Sequence, residues 1–245
     1  MSFNFNGKVA LVTGANRGIG EGFVKTLLEA GVSTIYAAAR DVSNLDTLVS
    51  INPDVIKPVQ LDVTRSEQIK ALTQTIQTID ILVNNAGIIN PAINSAHDAV
   101  DFARQEMDVN LFGPMQLTSV LLPALRQSAQ GAIINVSSIA GISNFPSIGT
   151  YSITKAAMHS YTQGLRADLA DSNISVLGVY PGPIDTRMAE GFEMDKPAPE
   201  QVAIKSFECL SNGKTDVFPD DFSTQMYATF LDQPQKLADV FASMG

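Results

Sequence analysis

Tyr151 and Lys155 stand four residues apart, so on a helix both side chains share one face. A phenol titrates near ~10 and is a poor base at neutral pH. An ammonium beside it favours the phenolate and lowers that value. The pair therefore suits acid–base work on a hydroxyl or a carbonyl. The competing reading is a plain surface pair. Gly14, Gly18 and Gly20 could serve a second kind of chemistry. They follow the apolar run Val9–Thr13 and precede a helical pattern. Glycines there admit positive φ and close backbone approach. A helix beginning near Gly18 turns free N–H groups and its positive dipole end toward the turn, where a pyrophosphate fits. The spacing G-x-x-x-G-x-G departs from the usual G-x-G-x-x-G, and a tight strand-to-helix connection is the competing reading. Neither Ser137 nor Ser138 has a hydrolytic partner, because His97 and His159 lie in no nucleophile-elbow pattern. Both histidines read as surface or packing residues.

These residues need elements to hold them. Six short apolar runs qualify as strands: Val9–Thr13, Thr34–Ala39, Val55–Leu61, Ile79–Asn84, Ala132–Ser137 and Ile174–Tyr180. Most are too apolar to be half-exposed, which suits a parallel sheet covered on both faces. Helical patterns lie between them: the stripe Phe23, Val24, Leu27, Leu28, a long stretch over about 101–128, and another over about 151–169. The alternation predicts an α/β fold, a doubly wound, Rossmann-like parallel β-sheet. Pro58 supports it. Proline cannot donate a ladder hydrogen bond and belongs on an edge strand, and the third strand is the edge in the order 3-2-1-4-5-6.

The chain has 245 residues, enough for one large α/β domain, and residues 1–245 are read as one domain. The stretch from about Pro197 is read as a small C-terminal extension of helices and a mobile loop. Lys plus Arg number 16 against 25 Asp plus Glu, a net charge of −9 that repels phosphate backbones and argues against nucleic acid. Cys209 is the single cysteine, so no internal disulfide or cysteine metal site is expected, nor any metal, and a cytoplasmic setting is favoured. No apolar run reaches the ~20 residues of a membrane span, and no apolar core follows Met1 to suggest export.

Taken in order, the motifs resemble the short-chain dehydrogenase/reductase family. They are Thr13-Gly14 with Gly18-Ile19-Gly20, then Asp62-Val63, then Asn84-Asn85-Ala86-Gly87. Asn110, Ser138, Tyr151-x-x-x-Lys155, and Pro181-Gly182 with Thr186 complete the series. The resemblance covers roughly residues 6–190. It implies an oxidoreductase that moves a hydride between a nicotinamide cofactor and a ketone, aldehyde or alcohol. Tyr151 is then the general acid/base, Ser138 binds the substrate oxygen, and Lys155 also holds the nicotinamide ribose. Ser138 is preferred to Ser137 because its distance from Tyr151 matches the family pattern. Ser137 then reads as structural.

By the same resemblance the backbone carbonyl of Asn110 holds a proton-relay water. Pro114 has no N–H to offer that carbonyl, so a kink and a free acceptor are expected; a simple bend is the alternative. The cofactor loop is Gly14, Asn16, Arg17, Gly18 and Ile19. Asp62 and Val63 meet adenine, while Asn84, Asn85, Ala86 and Gly87 line the nicotinamide side, Asn84 partly in a structural role. Pro181, Gly182, Ile184 and Thr186 hold the carboxamide.

NAD-preferring enzymes carry an acid at the end of the second strand. Here Ala39 stands there, with Arg40 next and Arg17 in the glycine loop. Two guanidinium groups suit a 2′-phosphate, so NADP(H) is the expected cofactor, with NAD(H) possible. Asp41 argues the other way, and ordinary surface charge is the plain reading of both arginines. The substrate loop, roughly residues 183–200, together with Ile88, Ile89, Ile142, Phe145, Met188 and Phe192, predicts an apolar pocket for a hydrophobic small molecule. The family's closing Asp-Gly-Gly is missing, which favours a homodimer over a tetramer. The alternatives are a non-catalytic cofactor sensor on the same fold, or an epimerase- or dehydratase-type reaction.

Overall fold

A computed structural model describes residues 2–191 and 193–244. In chain order its elements are β1 (Val9–Thr13), α1 (Gly18–Glu29), β2 (Thr34–Ala39), the single turn α2 (Asp46–Val49), β3 (Ile56–Gln60), α3 (Ser66–Thr75) and β4 (Ile81–Asn84). Then come α4 (Ala99–Met107), a π-turn over Asp108–Phe112, α5 (Gly113–Leu125), β5 (Gly131–Val136), α6 (Gly149–Asp168) and β6 (Ile174–Val179). The remainder is α7 (Pro199–Ser211), β7 (Asp216–Val217), α8 (Asp221–Asp232) and α9 (Pro234–Met244).

The sheet runs β3-β2-β1-β4-β5-β6-β7, with every pairing parallel. Pro58 sits on the edge strand opposite Ala37. Side chains alternate across the sheet as the period of two demands. Ala10 and Val12 enter a core under α1 and α7, whereas Leu11 enters the core under α3, α5 and α6. Both faces are thus covered, which is why these strands are almost wholly apolar.

Strand ends shift by a residue or two, and three larger differences from the sequence reading bear on the site. The strand expected over Ile79–Asn84 begins at Ile81, because Asp80 is taken up by the backbone N–H of Val9 at 2.8 Å and by the Ser128 hydroxyl. The helix expected over about 101–128 is broken. Its middle is a π-turn in which Gly113 N–H reaches back five residues to Asp108 C=O. Pro114 begins the next helix, where its missing N–H is harmless. The tail adds a seventh strand as well as helices. Two residues, Asp216 and Val217, are too few to give a periodic signal, and they pair only because β6 offers them an edge.

The tail returns to the beginning of the chain. α7 lies on α1, and a Cβ on Gly22 would sit 2.9 Å from the Pro199 carbonyl, so the helices meet backbone to backbone. Phe207 completes this seam, stacked on Phe5 at 4.2 Å between ring centres and tilted toward Phe23 at 6.0 Å. Such aromatic pairs contribute about 0.5–1.5 kcal/mol beyond their burial. Among the described residues no helix is long and apolar enough to cross a membrane.

Candidate active site

The carboxyl ends of the strands open into one cleft of about 940 Å³. Open α/β sheets hold ligands at this edge. Thr13 knits the floor together. Its hydroxyl donates to Val83 C=O at 3.2 Å and accepts from the N–H groups of Asn85 and Ala86 at 2.9 and 3.0 Å. The Asn85 amide donates to Thr13 C=O at 2.8 Å. The ends of β1 and β4 are therefore locked side by side.

The glycine loop is shaped for a ligand. Gly14 and Gly18 have φ of 62° and 54°, in the left-handed region. A Cβ on Gly20 would lie 2.2 Å from Gly14 C=O, and one on Gly18 would lie 2.9 Å from the Thr186 methyl. No side chain caps the N-terminus of α1. Its first-turn N–H groups are left facing the cleft, as an anion site requires. Gly14, Asn16, Arg17, Gly18 and Ile19 all line this end. Arg40 follows β2, and Asp62 and Val63 follow β3 on the same side. Burial pushes the Asp62 carboxyl up, but hydrogen bonds from Thr64 and the charges of Arg40 and Arg65 outweigh it and hold it below the ordinary value. Asp41 does not line the cleft. Its carboxylate accepts from Ser43 N–H and Oγ at 3.0 and 2.8 Å and starts the short turn over Val42–Leu45.

Tyr151, Lys155 and Ser138 meet in the middle of the cleft, with Ala86 and Gly87 opposite. Lys155 is 4% exposed; its ammonium donates to Val136 C=O at 2.9 Å and lies 5.5 Å from the centre of the Tyr151 ring. Burial lowers its pKa to about 8. Ser137 donates to Lys155 C=O at 2.9 Å. Ser138 donates to Pro181 C=O at 3.3 Å and accepts from Ala140 N–H at 3.2 Å.

The electrostatics of Tyr151 correct the sequence reading. An ammonium was expected to pull the phenol down. Instead, burial drives it above its ordinary value, the Ser138 hydrogen bond only partly offsets this, and the charge of Glu106 raises it further. The reason is geometric: Lys155 sits under the ring and spends a donor on Val136, while the whole phenol is 7% exposed.

Several expected residues lie elsewhere. Asn84 is not in the cleft wall. Its amide donates to Thr118 and Asn135 at 3.1 and 2.8 Å, inside the sheet-to-helix layer, and Asn135 passes the chain on to Thr162. A strand residue next to a cleft residue points to the opposite face, so Asn85 lines the cleft and Asn84 cannot. The Asn110 side chain also stays behind the wall. It brackets Ile88, accepting its N–H at 2.8 Å and donating to its C=O at 2.9 Å, and donates to Thr154 at 3.0 Å. Its backbone carbonyl lies in the π-turn, which is the irregularity that Pro114 led us to expect. Ile142 packs with the aromatic cluster beneath the cleft. Ile88, Ile89, Phe145 and Met188 line it, and Phe192 lies outside the described residues. Pro181, Gly182, Ile184 and Thr186 line the far wall.

The sequence reading missed Asp220, Phe222 and Met244. Asp220 is 5% exposed; one oxygen accepts from Gly182 N–H at 2.8 Å and the other from Ser223 N–H at 2.8 Å, capping α8. The Asp-x-x-Ser spacing signals a helix start. Nothing local says that the same carboxylate reaches the wall. Phe222 and Met244 bring α8 and α9 to the cleft. Among the described residues no group of three or more His, Cys, Asp or Glu could hold a metal ion.

Comparison with known proteins points one way. The short chain dehydrogenase family model matches residues 8–197. An uncharacterized oxidoreductase of Staphylococcus aureus is 33% identical over 215 residues, which is 84% of this chain and 92% of that protein. The crystal structure of a short chain dehydrogenase from Burkholderia cenocepacia, in complex with NADP, superposes with a TM-score of 0.90 at 34% identity, covering 98% of this chain and 99% of that one. A short-chain dehydrogenase from Streptomyces avermitilis gives 0.85 at 28% identity, covering 98% of both chains.

Proposed function

Because this chain belongs to the short-chain dehydrogenase/reductase family of oxidoreductases, we propose that it is an NADPH-preferring carbonyl reductase acting on a hydrophobic ketone or aldehyde. The observation that carries this reading is the meeting of Tyr151, Ser138 and Lys155 in the cleft that the glycine loop opens. A bound nicotinamide supplies or takes the hydride. The uncapped N-terminus of α1 and the glycine cradle fit its pyrophosphate, with Asp62 and Val63 beside adenine. Tyr151 hands its proton to the substrate oxygen in reduction and takes one back in oxidation. Ser138 hydrogen-bonds that oxygen. Burial keeps Tyr151 protonated, the form that reduction needs. Lys155, still cationic at neutral pH, sits beneath the ring and stabilises charge that develops there.

Preference for NADPH rests on Arg17 and Arg40 lining one end of the cleft while Asp41 is engaged in its own turn. The NADP bound to the Burkholderia relative is in keeping with it. Ile88, Ile89, Phe145, Met188 and Phe222 give the substrate end its apolar character. A homodimer through α4–α5 and α6 fits the exposed apolar side chains Val100, Phe112, Met115 and Ile153. The lone cysteine fits a reducing cytoplasm.

The test is NADPH oxidation against a panel of hydrophobic aldehydes, ketones and diketones, with Tyr151→Phe in parallel. Turnover that falls at least about a hundredfold in the variant supports the reading. Turnover unchanged in Tyr151→Phe, or a native protein that binds NADPH yet reduces nothing in the panel, overturns it.

A further inference from the structure

Glu106 is fully buried on α4, and the mechanism above does not use it. One carboxylate oxygen accepts from Asn90 N–H at 2.6 Å; the other, Oε2, is buried without a partner. Two more buried polar atoms share this condition nearby, Asn90 Nδ2 and Thr150 Oγ1. An unpaired buried polar group is costly, so a cluster of them demands an explanation.

The fold puts the three together. All strands are parallel, so helices returning along one face run the same way, and α5 and α6 share the face that holds Leu117, Leu121 and Leu165. Asn110 meets Thr154 at 3.0 Å across that seam. One turn back on each helix, the same geometry sets Glu106 toward Thr150. The loop after β4 threads between them in matching steps: Ile88 bonds Asn110, Asn90 bonds Glu106, and Ala92 C=O accepts from Thr150 N–H at 3.4 Å. Their chemistry is complementary. A water in the seam can accept from Asn90, donate to Glu106 and exchange a hydrogen bond with Thr150, the two to four partners that a buried water needs.

We propose that Glu106, Asn90 and Thr150 enclose a buried water site behind Tyr151, and that Glu106 is a positioning residue that sets the direction in which the tyrosine prefers to work. This rests on the carbonyl-reductase reading. Thr150 is the immediate neighbour of Tyr151, so the carboxylate lies against the turn that carries the phenol. A sealed negative charge there opposes the phenolate and favours the proton-donating form, in line with the upward push of Glu106 on Tyr151. Residues 88–96 carry no titratable side chain, and on α4 and its π-turn Asp101, Arg104 and Asp108 are exposed. On α6 the nearest cation, Lys155, spends its ammonium on Val136 C=O.

The experiment is the pH dependence of alcohol oxidation with NADP⁺, using the alcohol of the best carbonyl probe from the panel above. Oxidation needs the phenolate, so its rate rises with pH through the tyrosine's apparent pKa. Glu106→Gln keeps the shape and an acceptor for Asn90 but removes the charge. The rising limb is expected to move down by about one pH unit, making the variant up to about tenfold faster than the native enzyme below the limb. Glu106→Asp, which keeps the charge, is expected to leave the limb where it is. An unmoved limb in Glu106→Gln, or a uniform loss of rate at all pH values, overturns the positioning role. Native enzyme inert in both directions overturns the reductase reading instead. A crystal structure of the native chain decides the water site without any variant. Ordered water bonded to Glu106 Oε2, Asn90 Nδ2 and Thr150 Oγ1 is expected, and a dry seam overturns it.

Discussion

The two walls of the cleft are built by different means. The wall at β1 and the glycine loop is local: within residues 13–20 a strand ends, two glycines take left-handed φ, and a helix begins uncapped. The wall at Pro181–Thr186 is assembled from a distance. Gly182 N–H is held by Asp220, 38 residues on, and α8 and α9 supply Phe222 and Met244. The first wall leaves no room for side chains, whereas the second is made of them. On the proposed reading the glycine loop takes the cofactor's pyrophosphate, while the second wall joins the carboxamide site to the substrate end.

Four substitutions break or sharpen that contrast. Gly20→Ala attacks the local wall, where a Cβ meets Gly14 C=O at 2.2 Å and the Asn85 amide at 2.5 Å. Overpacking of this kind costs up to about 3 kcal/mol. We expect a melting temperature about 10 °C lower and NADPH binding at least tenfold weaker, measured by thermal melts and fluorescence titration. Asp220→Ala attacks the distant wall, uncapping α8 and leaving Gly182 N–H unpaired. A loss of about 2 kcal/mol, or roughly 6 °C, is expected, with KM for the carbonyl raised by a larger factor than the Kd for NADPH. If cofactor binding falls equally, the two walls are not separable.

Arg40→Asp tests cofactor choice within the local wall. NADPH affinity is expected to fall about tenfold while NADH affinity changes little, in titrations at matched ionic strength. Equal effects reject the assignment.

The last test concerns Lys155, whose folded pKa of about 8 lies below its unfolded value near 10.5. The unfolded chain then holds this proton more tightly, so the group's cost to stability is greatest below pH 8 and fades as pH rises toward 10.5. Lys155→Met removes that dependence. The stability difference, variant minus native, is expected to become less favourable to the variant between pH 7 and pH 10 in urea melts, and a constant difference contradicts the assigned value.

Much of this protein is legible in its sequence. Val9–Thr13 and Thr34–Ala39 announce themselves because a strand covered on both faces is continuously apolar. Pro58 locates the edge because it cannot donate a hydrogen bond. Tyr151 and Lys155 are visible because four residues make one helical turn. What stayed hidden has no local signature. Asn84 and Asn85 look interchangeable until the pleat assigns them opposite faces. Asp220 reads as a cap, and its second bond exists only once the tail has returned to the wall. Glu106 is one acid among several on an amphipathic helix until α6 and the loop after β4 close over it.

By itself the sequence determined six of the strands, the edge of the sheet and the glycine turn, because these depend on backbone geometry and periodicity within a few residues. The tertiary structure alone decided which polar side chains face the cleft, where burial overrides the pull of Lys155 on Tyr151, and which distant helices wall the substrate end. Burial and convergence are properties of packed surfaces, and no window along the chain contains them.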